Sequence, residues 1–158
     1  MQYAFITVWS FRAPIDAVWE ALSRAEEWPS WWRGVESVEL IDPGNADGLG
    51  SVRRFTWKSR LPYRLVLEMR NTDVERPHRL EGRATGELEG VGRWDLLQQG
   101  EWTTVRYEWR VRTTKAWMNL LAPLAKPFFV WNNDVVMAWG GEGLARRLGC
   151  ERRLVNRE

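Results

Sequence analysis

Histidine and cysteine are almost missing from this 158-residue sequence, which has one of each, His78 and Cys150. A single cysteine cannot form a disulfide within the chain, so cysteine usage gives no sign of an oxidising compartment. One histidine, placed in a turn after Pro77, argues against a Ser-His-Asp or Cys-His catalytic group. Without further His or Cys, only carboxylates remain as metal ligands. None of them cluster at ligand spacing, and we expect no metal site and no cofactor.

Long apolar runs and an excess of charge of one sign are also lacking. No run approaches the roughly 20 apolar residues of a membrane span, and residues 1–12 alternate instead of forming the apolar block of a signal peptide. The formal net charge is +2. The one basic cluster, residues 146–153, is typical of a solvated helix end rather than of a nucleic-acid interface. We therefore expect a cytoplasmic protein with neither a nucleic-acid partner nor stable membrane insertion.

Tryptophan is what the sequence has in excess, with twelve residues spread over the whole chain. Apolar residues make up 44% of the chain and charged residues 28%, which is ordinary for a globular protein of one domain. Because each buried indole contributes a large contact area at little cost in rotamer entropy, the excess indicates one of two arrangements. Either the core is unusually aromatic, or rings line a cavity.

The N-terminal third of the chain predicts one strand and two short helices. In residues 2–12 the large side chains recur at odd positions, which is the spacing of a half-buried strand. Pro14 suits the first turn of a helix, and helical spacing follows over residues 15–23. A second short helical turn spans residues 25–33.

The rest of the chain predicts a run of strands and then one long helix. The strands are expected at residues 35–42, 51–58, 63–74, 79–88, 90–98 and 103–113. The helix is expected at 114–148, kinked or split by Pro123 and Pro127. One apolar stripe at three- and four-residue steps should cover the sheet: Trp117, Leu121, Leu124, Phe128, Trp131, Val135 and Trp139. We expect one domain over residues 1–150, followed by a basic tail over 151–158.

Two motifs in this pattern resemble a known family. The stretch FRAPIDAVWEAL at residues 11–22 resembles the opening of the START-like (SRPBCC) superfamily, in the branch of polyketide cyclase/dehydrase and lipid-transport proteins. The stretch EWPSWW at residues 27–32 is similar to the Trp-Pro-x-Trp turn of that family. The resemblance implies an α+β helix-grip fold. In it, a curved antiparallel sheet of about six or seven strands wraps around the long C-terminal helix, with two short helices after the first strand.

The resemblance also implies a function. Members of the family bind hydrophobic ligands between helix and sheet. The first expectation is a carrier or sensor of a small lipid-like or polycyclic aromatic ligand, present as a monomer or a homodimer. The alternative is an enzyme of the polyketide cyclase, aromatase or dehydratase type that acts on a ligand in the same cavity. Fold alone does not choose between them.

A cavity of this kind requires small residues on the inner face of a strand and rings around them. Gly82 and Ala84 provide the space, although the rings could equally pack together and leave no cavity. The predicted ligand-binding residues on the strands are Trp57, Tyr63, Leu65, Leu67, Gly82, Ala84, Trp94, Tyr107 and Trp109. Those on the helix are Phe128, Trp131, Asn132 and Val135.

Polar groups that face such a cavity would orient the ligand. The candidates are Tyr107, Arg54 and the run Asn132, Asn133 and Asp134, which is unusual within an apolar helix because Asn and Asp are poor helix formers. A hydrated turn after Pro127 would explain the same run.

Four tryptophans lie in or near predicted turns: Trp28, Trp31, Trp32 and Trp102. A lid, a membrane contact on ligand exchange, a dimer contact and core packing remain alternatives for them.

Overall fold

The computed structural model describes residues 2–60 and 62–154, except for the side chains of Trp117, Met118, Ala122 and Leu154. It contains eight strands, two α-helices and one 3-10 helix. In chain order these are β1 (Gln2–Phe11), α1 (Ile15–Ser23), the 3-10 helix (Ala25–Ser30), β2 (Val35–Asp42), β3 (Val52–Lys58), β4 (Arg64–Glu75), β5 (Arg79–Gly86), β6 (Leu88–Gln99), β7 (Trp102–Thr113), α2 (Ala116–Leu148) and β8 (Arg152–Leu154).

All strands belong to one antiparallel sheet in the order β2-β3-β4-β5-β6-β7-β1-β8. Most neighbours in the sheet are also neighbours in sequence, joined by short turns, and the first strand pairs with β7 across the whole domain. The predicted helix-grip architecture is confirmed, because the sheet faces a single long C-terminal helix. Within the described residues, no helix is both long and apolar enough to cross a membrane.

The predicted basic tail contributes the eighth strand, one more than the sequence suggested. Gly149 ends α2 in the left-handed conformation at φ 61°, and its N–H donates to carbonyls of the last turn. The chain then turns back, and Arg152–Leu154 pairs with Trp9–Phe11 of β1. The expectation for residues 155–158 lies outside the described residues.

Helix α2 is continuous through Pro123 and Pro127, so the prolines do not split it. The glycines of α2 lie near its C-terminal end, where they allow other segments of the chain to pack close to the helix. A Cβ on Gly140 would lie 2.5 Å from the Trp32 ring, and one on Gly143 would collide with the Trp31 carbonyl. The C-terminal half of α2 is therefore seated against the segment that follows the 3-10 helix.

A cluster of indoles forms the centre of the core. The Trp32 ring lies 4.9 Å from Trp28, 5.5 Å from Trp9 and 6.2 Å from Trp94, measured between ring centroids. Trp9 and Trp32 donate their indole N–H groups to backbone carbonyls of α2, and Trp28 donates to Ala21 of α1. These bonds satisfy the only polar group of each indole, as burial requires.

Among the surface roles considered for the turn tryptophans, those for Trp28, Trp31 and Trp32 are wrong. All three side chains are buried, and core packing is the correct interpretation. Trp102 is half-buried beneath the guanidinium of Arg153, which lies 4.4 Å from the ring centroid.

Candidate functional site

A cavity of about 200 Å³ lies between the concave face of the sheet, the 3-10 helix and α2. A single water needs only about 10–15 Å³ in the same terms, so this space is far larger than a packing defect. The helix does not fill the inside of the sheet, and the remaining gap has the position expected of a ligand site in this fold.

The walls follow from strand alternation, because every second side chain of a strand points to the same face. On β4 this brings Leu65, Leu67 and Met69 inward, and the facing strands contribute further large apolar groups. On β6 and β7 the direct cross-strand pairs are Trp94 with Tyr107 and Gly92 with Trp109. The floor of the cavity is therefore a set of rings that lie on the sheet.

Tyr107 lies over β6 instead of standing upright on β7. Its ring stacks on Trp94 at 4.0 Å between centroids, with an angle of 23° between the planes. A Cβ on Gly92 would lie 2.7 Å from the Tyr107 hydroxyl, so glycine is what lets the phenol lie flat. The ring borders the cavity but is removed from bulk solvent, and this burial raises the pKa of the Tyr107 hydroxyl. The group remains a neutral hydrogen-bond donor at neutral pH.

On β5, Gly82 likewise makes room for neighbouring groups. Gly82 faces Gly92 across the β5–β6 pair, and a Cβ on Gly82 would lie 3.1 Å from the terminal methyl of Met69 and 3.2 Å from the Arg70 carbonyl. The room that the glycines provide is thus partly occupied by neighbouring side chains, and only part of it is cavity.

A polar cluster borders the cavity near the start of β3 and in the second half of β4. Arg53 lines the cavity, forms an ion pair with Glu26 of the 3-10 helix and donates to the Ser51 hydroxyl at 3.0 Å. The Asn71 amide donates to the same hydroxyl at 2.9 Å and to the Gly48 carbonyl at 3.2 Å. A cation and an amide carbonyl are therefore held in fixed positions beside an otherwise apolar space.

Asn132 contributes a second polar group, from the helix. It lies in the lining, and its buried side-chain oxygen has no hydrogen-bond partner among the described residues. An unsatisfied buried polar atom costs about 1–3 kcal/mol. The Ser10 hydroxyl and the Trp31 indole nitrogen, which lie outside the lining, carry the same cost, so Asn132 is a candidate ligand contact because of its place in the lining.

The structure brings most of the predicted binding residues together. The predicted residues that line the cavity are Trp57, Tyr63, Leu65, Leu67, Gly82, Trp94, Tyr107, Trp109 and Asn132. Their contact with a ligand remains a prediction.

Four predicted residues lie elsewhere, and their placement is corrected. Ala84 is fully buried but packs in the core, outside the lining. Phe128, Trp131 and Val135 lie on another face of α2, because one residue along a helix is a rotation of about 100°. The inward positions are Phe129, Asn132 and Val136, each one residue on, together with Asn133 and Met137.

The polar residues that the sequence pattern did not reveal are Arg53 and Asn71. Arg54, the predicted one, points outward and pairs with Glu39 and Glu68. A shift of one residue on a strand exchanges the two faces, and the inward assignment of Trp57 already required Arg53 to point inward as well. Asp134 likewise lies outside the cavity, in a surface groove along α2.

This architecture and this cavity define a helix-grip protein with an internal, largely apolar cavity. Residues 7–152 match the family described as polyketide cyclase / dehydrase and lipid transport, and the chain belongs to this family. The resemblance noted in the sequence motifs is thereby confirmed. No curated protein sequence matches the chain.

Solved structures with the same fold include two aromatase/cyclases. The crystal structure of Zhui aromatase/cyclase from Streptomyces sp. R1128 is similar at a TM-score of 0.77, with 16% identity over 94% of each chain. The di-domain ARO/CYC BexL from the BE-7585A biosynthetic pathway is similar at 0.69, with 20% identity over 90% of this chain and 50% of that one. A START superfamily protein from Mycobacterium smegmatis is similar at 0.75, with 12% identity over 92% of this chain and 97% of that one. At these identities the likeness concerns the fold.

Proposed function

We propose that this protein binds one small, largely hydrophobic molecule in the cavity and acts as its carrier or sensor. The observation that carries the proposal is the composition of the lining. Apolar and aromatic side chains form most of it, while Arg53, Asn71 and Asn132 supply a few fixed polar groups. Pockets for small molecules typically have this composition.

The apolar walls provide the affinity. Each 100 Å² of apolar ligand surface removed from water contributes about 2.5 kcal/mol, before the costs of immobilising the ligand. The rings of Trp94, Tyr107 and Trp109 are already stacked on one another. Because they do not have to be ordered on binding, little of this gain is lost, and a flat polycyclic ligand or an acyl chain would fit against them.

The polar groups provide the specificity. Arg53 favours a carboxylate or another anionic or carbonyl oxygen, since a guanidinium binds such groups with charge-assisted hydrogen bonds. The unsatisfied Asn132 oxygen accepts a hydrogen bond from a hydroxyl or amide of the ligand. The favoured ligand is therefore amphipathic, with an apolar body and one or two oxygens.

A second candidate function, a polyketide cyclase or aromatase, is supported by the family description and by the oxygen-binding groups in the cavity. Arg53 and Tyr107 would polarise carbonyls of the substrate. A general acid or base works best with a pKa near the working pH, and burial moves the pKa of Tyr107 away from that range. This favours binding over proton transfer.

The decisive experiment is native mass spectrometry of the protein as purified from cells, together with fluorescence titration by anilinonaphthalene sulfonate. We expect a retained molecule, or saturable binding of the dye to one site. Val111→Phe adds bulk to a residue in the lining, whereas Val91→Phe adds the same bulk to the outer face of the neighbouring strand. The first should abolish dye binding and the second should not. A protein that binds neither a cellular molecule nor the dye would contradict the proposal.

The same preparation separates the two candidate functions. A ligand extracted before and after prolonged incubation with fresh protein should have one unchanged mass if the protein is a carrier. A product that has lost the mass of water would identify a cyclase or dehydratase.

A further inference from the structure

The first half of α2 has its faces inverted relative to an ordinary amphipathic helix. Asn132 and Asn133 point into the cavity, while large apolar side chains point into solvent. Leu124 is 77% exposed, Phe128 62% and Trp131 47%. The inward amides have a role in ligand binding under the proposed function, but a monomer gains nothing by exposing an indole and a phenyl ring to solvent, so the outer face requires an explanation of its own.

The spacing of the exposed side chains is that of a helix–helix seam. Leu121, Leu124, Phe128 and Trp131 follow one another at steps of three, four and three residues, as do the a and d positions of a heptad. Lys126 is the only charged residue between positions 116 and 133. This outer seam is narrower and more regular than the face a helix presents to a sheet.

We propose that the outer seam of α2 binds the same seam of a second copy of this chain, in a two-fold symmetric homodimer. Two-fold interfaces use one surface patch on both subunits, which then has to be self-complementary. The outer seam meets this requirement because its side chains are apolar and can pack against copies of themselves.

The register follows from these positions. Antiparallel helices related by an axis between Phe129 and Val130 place Phe128 against the partner's Trp131.

The available area is also of the right size. Aromatic side chains bury on the order of 150–250 Å² each, and leucines somewhat less. Five exposed apolar side chains lie on this face: Leu120, Leu121, Leu124, Phe128 and Trp131. At their exposures they offer most of the roughly 800 Å² per partner of a standard stable interface.

A lipid surface suits this face less well. Helices that lie on membranes carry a polar face rich in Lys and Arg. Here the segment has one lysine, and Lys115, which precedes it, is paired with Glu87. The position of the seam also has a consequence for the cavity, because Phe129 and Asn132 line it from the same turns of α2. A dimer would hold in place the helix segment that closes the ligand site.

The test is sedimentation velocity of the full chain over a range of micromolar concentrations. We expect a dimer for the wild type and a monomer for Leu124→Glu/Phe128→Glu, with a dissociation constant raised roughly a hundredfold or more, since buried interface anchors carry most of the binding energy. Leu97→Glu is the matched control, because Leu97 is 55% exposed on β6, away from α2. It should remain dimeric. Circular dichroism should show all variants folded, as the replaced side chains are exposed.

A wild type that is monomeric at every concentration overturns the proposal, as does a dimer that the double glutamate variant leaves intact. If the monomer instead floats with phosphatidylglycerol vesicles and the double glutamate variant does not, the seam binds a lipid surface and the homodimer is excluded.

Discussion

The indole nitrogen of Trp32 donates a hydrogen bond of 2.9 Å to the backbone carbonyl of Val136, and its ring occupies the place a Cβ on Gly140 would need. These two contacts join the segment after the 3-10 helix to the middle of α2. Val136 and Gly140 are about one helical turn apart, so the two contacts with Trp32 together fix the rotation of α2 about its own axis. The rotation in turn decides that Val136 and Asn132 face the cavity.

Gly140→Ala should therefore destabilise the protein by about 1–3 kcal/mol, as overpacking in a filled core does. Helix propensity alone predicts the opposite, a gain of about 1 kcal/mol. Urea denaturation monitored by circular dichroism measures the difference. Ala138→Gly, at an exposed position of the same helix, is the control and should cost about 1 kcal/mol. Adding Trp32→Phe should make the double variant less unstable than the sum of the two single changes, and strict additivity would argue against the contact.

Asn132→Leu and Asn71→Leu should change stability in opposite directions. The Asn71 amide is satisfied by Ser51 and Gly48, so its loss should cost about 1–3 kcal/mol. The Asn132 oxygen has no partner among the described residues, and removing it should raise the free energy of unfolding by about 1 kcal/mol. Thermal or urea unfolding of the two variants gives the signs.

Asn132→Leu should at the same time weaken binding of the retained molecule, which native mass spectrometry would detect as a lower occupancy. If both leucine variants are destabilised to the same extent, then Asn132 is a structural residue of the fold.

Arg53→Met should lower the affinity for an anionic ligand at least about tenfold, which corresponds to one lost charge-assisted hydrogen bond. Arg54→Met is the matched control, because the two residues are adjacent in sequence and on opposite faces of β3. Its exposed ion pairs with Glu39 and Glu68 should contribute less than about 1 kcal/mol to stability. Titration with anilinonaphthalene sulfonate and with the uncharged dye Nile red separates charge from shape. An equal loss for both dyes would mean that Arg53 only supports the cavity wall.

Tyr107→Phe should reduce the loss of stability at alkaline pH. In the folded protein burial raises the pKa of Tyr107, whereas in the unfolded chain the pKa is about 10. Below pH 10 the phenol is neutral in both states. As the pH rises above that value only the unfolded chain releases the proton, so stability falls. Urea midpoints of wild type and variant at about pH 9 and about pH 11 measure this contribution. If the midpoint falls by the same amount in both proteins, the hydroxyl is not buried.

The strands and their inner faces could be predicted from the sequence because strand patterning is local. Side chains alternate with a period of two, and a single inward residue fixes all the others on that strand. The alternation therefore predicts the inward positions of Leu65, Trp94 and Tyr107, and all three line the cavity. The motif around Ala13-Pro14 added the family and the order of the elements. Arg53 was missed only because the alternation was not carried through from Trp57.

The rotation of α2 about its axis could not be predicted in this way. This rotation determines which helix residues line the cavity. Residues 116–133 are apolar on nearly every face, so helical periodicity alone does not show which stripe faces the sheet. The stripe through Phe128 and Trp131 is the more hydrophobic, yet the structure turns it outward. The indole hydrogen bonds from Trp9 and Trp32, and the close approach at Gly140, hold the helix in one rotation. The sequence by itself determined the fold and the sheet side of the cavity. Contacts between residues more than a hundred positions apart determined which helix face closes it, because only packing can choose between two faces of similar polarity.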